Sequence, residues 1–217
     1  MIAKTWLTLA ALTAGILAAG VQESVEEREP PMIFSLEVEG KRVPVELDKA
    51  FELETKNPTT KVTLRAAPHR IFNFGGVRFH YPREMGFEAD LGTPGVKIWT
   101  LDGNNAVFIM QLHSDAEDHQ ALRKEVIDAM VQQYGRGNVK REPSSLVVQK
   151  KRLSGTTLQI TLSGIRLSQA VYSFQAGKDA VVFVLQDSLT DDEELTDEFT
   201  RTLKLFKETF QFPKDSK

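Results

Sequence analysis

Ala180-Val-Val-Phe-Val-Leu185 is a continuous apolar run, preceded by the turn residues Gly177-Lys-Asp179. A strand with one wet face alternates apolar and polar residues; a run without alternation marks a strand covered on both faces. Such a strand lies inside a sheet, and the fold needs layers above and below it. Two amphipathic segments supply them. In Ser114 to Tyr134, Leu122, Val126, Met130 and Tyr134 recur every four residues, Ile127 and Ala129 widen the stripe, and Gly135 ends it. Ser114 and Glu117 have capping-box spacing, with Asp115, Glu117 and Asp118 in the first turn. The closing segment repeats Leu195, Phe199, Leu203, Phe206 and Phe210 behind a second capping pair, Thr190 and Glu193.

Strand signals fill the space between. Ile71-Phe-Asn-Phe74 and Val77-Arg-Phe-His-Tyr81 flank Gly75-Gly76, a hairpin in which Val77, Phe79 and Tyr81 share one face and Arg78 and His80 the other. Val96–Leu101 and Ala106–Leu112 flank Asp102-Gly103-Asn104-Asn105. After a basic loop come Leu146–Gln149, Leu158–Leu162 and Ala170–Phe174, broken at Ser154-Gly155 and Ser163-Gly164. Trp99 is the aromatic expected to be exposed, because its same-face neighbour is Lys97.

Upstream lies a smaller β-rich stretch, 32–67. Ile33–Val38 and Val43–Leu47 flank Glu39-Gly40-Lys41 as a hairpin, with Pro44 placing the second strand at an edge. Phe51–Glu54 and Val62–Arg65 read as two further strands. Residues 21–31 (VQESVEEREPP) read as a solvated polar linker. Residues 1–20 combine Lys4, an uncharged stretch from Trp6 to Ala19, and small residues at Ala18-Ala19-Gly20: a secretory signal, cleaved after Gly20 or kept as an anchor. The expected organisation is signal 1–20, linker 21–31, β-rich subdomain 32–67, sandwich domain 68–213 and polar tail 214–217. The fold class is α+β, an antiparallel sheet flanked by two amphipathic helices. The expected compartment is periplasmic or extracellular.

From Phe79 onward the order is hairpin, strands, helix, meander and closing helix. Val77-Arg-Phe-His-Tyr-Pro82, Ala106-Val-Phe-Ile-Met110, Ala180 to Leu185 and Phe206-x3-Phe210-x-Phe212 carry a resemblance of organisation to the Mog1/PsbP-like α/β/α sandwich. It covers roughly two thirds of the chain and leaves 32–67 outside. The better-studied members of that superfamily act by binding, so the resemblance implies a sandwich fold and a non-enzymatic role.

Composition narrows the chemistry. The chain of 217 residues has 27 Lys+Arg against 30 Asp+Glu, which gives no footprint of nucleic-acid binding. It has no cysteine, which removes disulfides, thiolate nucleophiles and thiolate-bound metals. No Gly-x-Ser-x-Gly elbow, His-Glu-x-x-His or Walker lysine motif occurs. His113-Ser-Asp-Ala-Glu-Asp-His119 has metal-ligating residue types, but its histidines are six apart, and capping accounts for the same acids. His69 and His80 are the other candidates for a hydrolase or metal-dependent enzyme. A small apolar ligand held between helix and sheet by the aromatic stripes is a third reading; core packing explains the same spacing. No cofactor is expected. The most distinctive charge feature runs from Arg136 to Arg152, where Arg136, Lys140, Arg141, Lys150, Lys151 and Arg152 face the single acid Glu142. On two adjacent strands the six would share one surface for a protein or anionic envelope partner; the competing reading is a lysine-guarded edge strand. The leading function is thus a non-catalytic binding or accessory protein.

Overall fold

The computed structural model describes residues 25–46, 50, 52 and 60–213. The signal, the tail and the expected strand Phe51–Glu54 (apart from Glu52) lie outside the described residues. Three sheets form. Strands β1 (Phe34–Val38), β2 (Lys41–Val45) and β3 (Val62–Ala66) make the first, in the order β2-β1-β3, so Pro44 does sit on an edge. Strands β4 (His69–Phe74) and β5 (Val77–Pro82) form a two-stranded ribbon of their own. The third sheet joins β6 (Gly86–Asp90), β7 (Val96–Asp102), β8 (Ala106–His113), β9 (Val139–Val148), β10 (Lys151–Leu162), β11 (Ile165–Ala176) and β12 (Asp179–Ser188). Its order is β6-β7-β8-β12-β11-β10-β9, antiparallel throughout. The apolar run lies in β12, the central strand.

Helices α1 (His119–Tyr134) and α2 (Asp197–Thr209) cover opposite faces of that sheet. On one face, Val182 and Val184 pack with Leu158, Ile160, Val171 and the α1 residues Ile127 and Val131. On the other, Val181, Phe183 and Leu185 join Phe79, Trp99, Phe108, Phe199, Phe206 and Phe210. The architecture is α+β, a large antiparallel sheet between two helices, with the β4–β5 ribbon sharing the α2 layer. The aromatic stripes are packed core: Phe206 lies 5.4 Å from Phe183 and 4.8 Å from Phe79, ring centre to ring centre, in edge-on geometries.

Both helices begin later than their capping signals predict. Ser114 donates its N–H to the Gly95 carbonyl and the Asp115 N–H goes to Asp179, which ties this stretch to the sheet end. Asp118 becomes the cap, accepting from the N–H groups of Gln120 and Ala121. Those two bonds hold its carboxyl below the usual carboxylate range. Thr190 and Glu193 close a loop instead, and Thr196 caps α2. The fully buried Asp187 fixes that cap, accepting from Thr196 N–H at 2.7 Å and Thr196 Oγ1 at 2.6 Å. Leu195 therefore stays exposed, outside the α2 stripe.

Two further expectations change. Trp99 is fully buried, and its indole N–H donates to the Glu26 carbonyl at 3.0 Å. Part of the acidic stretch is correspondingly packed: Glu26 pairs with Lys97 at 2.5 Å, Glu29 pairs with Arg70 and Pro30 is buried, while Val25, Arg28 and Pro31 stay exposed. Ser154-Gly155 does not break a strand. Gly155 lies within β10, where an added Cβ would collide with the Tyr172 ring and lie 2.5 Å from the Val171 carbonyl oxygen. Glycine there permits close approach of neighbouring strands.

Candidate functional site

Residues 139–148, read as loop and short strand, belong to the ten-residue strand β9, which pairs with β10 from Val139↔Ile160 to Val148↔Lys151. The hairpin carries five of the six basic candidates, with Arg136 just before it in a 3-10 turn. It does not bring them onto one surface. Strand side chains alternate between faces, and the core contacts fix the sides: Leu158 and Ile160 face α1, while Leu146, Val148 and Leu153 face the α2 layer. Arg141 and Arg152 thus project on the α1 side, and Lys140 and Lys151 on the other. This corrects the expectation of a shared basic surface, and the period of two is the reason.

Toward the α1 end the charge is already matched. Lys140 pairs with Glu142 at 2.6 Å, which holds its ammonium above the usual lysine range. Arg141 pairs with Asp128 at 3.0 Å, and Asp128 also takes Lys124 at 2.9 Å. The hairpin tip differs. Lys150 occupies the two-residue turn, Lys151 lies 4.6 Å over the Phe212 ring, and Arg152 donates to Ser145 Oγ. None of these three has an acidic partner among the described residues. Arg123 of α1 adds a fourth cation nearby by donating to the Ser154 carbonyl at 2.5 Å.

The turn itself is unusual. Gln149 and Lys150 both hold left-handed backbone, with φ of 47° and 65°. The comparable turns Glu39-Gly40, Gly75-Gly76 and Ser163-Gly164 each include glycine, which takes that geometry without steric cost. Beside the tip, Val147 is 44% exposed. Sequence reading passed over Pro143, Val147 and this turn. Pro143 on an edge strand was the available signal, because proline within sheets is confined to edges.

The histidines fall into separate settings. His69 and His80 stack on the outer face of the β4–β5 ribbon, rings 4.4 Å apart and 9° from parallel. Burial first, then the charges of His69 and Arg78, lower the affinity of His80 for a proton. His113 Nε2 meets Gln111 Oε1 at 3.1 Å, whereas His119 Nδ1 meets the buried Ser173 Oγ at 2.9 Å. Among the described residues no three His, Cys, Asp or Glu gather in a way that would hold a metal ion, and no helix is long and apolar enough to cross a membrane.

No family model matches the chain, and a search of curated proteins finds no match. Among solved structures, the Saccharomyces cerevisiae Ran-binding protein Mog1p is similar at 11% identity and a TM-score of 0.46, over 68% of this chain and 97% of that one. That likeness is one of fold and carries no argument about function. The class of the protein rests on its own strand order and layers.

Proposed function

We propose that this is an exported, non-catalytic binding or accessory protein that engages an anionic protein partner through the β9–β10 hairpin tip. The observation that carries the reading is Lys150-Lys151-Arg152: three consecutive cations without an acidic partner among the described residues, running from a glycine-free left-handed turn into the start of β10. In the same hairpin Lys140 and Arg141 meet carboxylates, whereas these three are left for an outside one. Uncompensated surface charge steers association and gives it a steep salt dependence. Export is supported by residues 1–20 alone, whose charge, apolar stretch and small residues form a signal.

The test compares the chain from Val21 with its K150E/K151E/R152E variant in capture from an envelope extract at rising salt. A partner held by the first, released by salt and lost by the second is the expected result. Capture that is indifferent to both changes sinks the reading. Mass measurement of the protein recovered from the envelope fraction checks export, with Val21 as the expected first residue.

A further inference from the structure

We propose that the free edge of β9 beside Ser145 and Val147 receives an extended, acidic segment of a partner protein, which adds to the large sheet as one more strand. This rests on the reading of the hairpin tip above and specifies the form its partner takes.

Among the described residues β9 has β10 as its only strand neighbour. Pro143 lies opposite Thr156 within a ladder that continues on both sides. Proline has no N–H to give the ladder, so its nitrogen occupies an outward position. In an antiparallel pair outward and inward positions alternate, which turns Arg141, Ser145 and Val147 outward as well. Among the described residues no loop or strand bonds to that side of β9.

The two halves of this edge are built differently. Near α1 the missing donor of Pro143 and the matched charges of Lys140 and Arg141 blunt it, as native edges are blunted against unwanted pairing. Near the tip those guards stop. Ser145 and Val147 offer backbone donors and acceptors, Val147 offers an exposed apolar side chain, and Arg152 lies directly across the ladder from it. A strand laid here gains main-chain hydrogen bonds, a contact at Val147, and three cations at one end. Edge addition takes affinity from the main chain and specificity from alternate side chains. The matching segment is therefore extended, apolar beside Val147 and acidic toward Lys150–Arg152.

The test uses a fluorescent hexapeptide of alternating Glu and Val, its copy N-methylated at alternate amides, polyglutamate, and phosphatidylglycerol vesicles. Each is titrated against wild type, Val147→Pro, Val147→Thr and the triple charge reversal. Val147→Pro deletes an outward donor at a position equivalent to Pro143, so the β10 ladder is retained; Val147→Thr keeps the donor. Expected are binding of the Glu-Val peptide by wild type and Val147→Thr, and at least tenfold weakening by Val147→Pro, by N-methylation and by charge reversal. Should Val147→Pro fail to fold, the N-methylated peptide decides alone. Equal binding of polyglutamate or vesicles, insensitive to Val147→Pro but lost on charge reversal, overturns the added strand while leaving the tip as a charge site. Absence of any binding at the tip overturns both. A wild-type dimer that Val147→Pro dissolves replaces the partner by a second copy and also overturns the proposal.

Discussion

Gln149 and Lys150 hold a backbone geometry that costs an L residue roughly 1–2 kcal/mol. Glycine at the second position would relieve that cost, as it does at Gly40, Gly76 and Gly164. Lys150→Gly is expected to raise stability by about 1 kcal/mol, read as a higher urea midpoint at unchanged slope. It should also weaken an anionic partner, since one tip cation is gone. A lower midpoint would show that the turn carries no such strain. Little of this was legible in the sequence. A basic triplet is visible in the letters, but the left-handed backbone where it starts is not, and neither is the carboxylate that neutralises Arg141 while missing Lys150, because Asp128 arrives from a different element. Trp99 was misjudged for the same reason: its cover is Glu26, far away in sequence.

Elements were easier to read than their ends. The continuous apolar strand, the two helix stripes and the Gly-Gly hairpin follow from periodicity and turn chemistry, which are local. The helix starts depended on competition: the sheet end takes the backbone N–H groups of Ser114 and Asp115, and the cap passes to Asp118. Gly155 looked like a break because letters cannot distinguish a turn glycine from one that admits a neighbouring ring. The β4–β5 ribbon carries its own expectation. Protonation of His80 adds charge to a ring stacked on His69 and near Arg78, and burial leads in lowering the pKa of His80, His113 and His119 alike. A histidine lowered in the folded state contributes its full stability above the ordinary pKa near 6.5, and loses it as pH falls through that value, because the unfolded chain then binds more protons. Urea midpoints should therefore fall from pH 7 to pH 5. His80→Gln should flatten the slope, by at most about 1.4 kcal/mol per pH unit for one proton. Equal midpoints at the two pH values would refute this.

At the scale of the whole molecule, residues 25–31 act as a strap joining the N-terminal side to the sandwich. Glu26 closes over Trp99 and Lys97, and Glu29 reaches Arg70, beside the buried Tyr81 whose pKa burial pushes up to about 12. A chain starting at Met32 should lose about 1–3 kcal/mol relative to one starting at Val21, since the Trp99 N–H is left without its acceptor. In both chains Trp99 is the sole tryptophan, so its emission should shift to the red on removal of the strap. An unshifted spectrum would mean that the strap is dispensable. The strand order has a different consequence. β8 and β12 are neighbours, yet α1, β9, β10 and β11 are all strung between them. During synthesis, β6 to β8 leave the ribosome long before the strand that completes them. A nascent chain halted short of Asp179 holds two half-sheets with raw edges at β8 and β11, and such unpaired edges invite aggregation. The most apolar strand is thus also the seal, and it is made only after both of the half-sheets it joins.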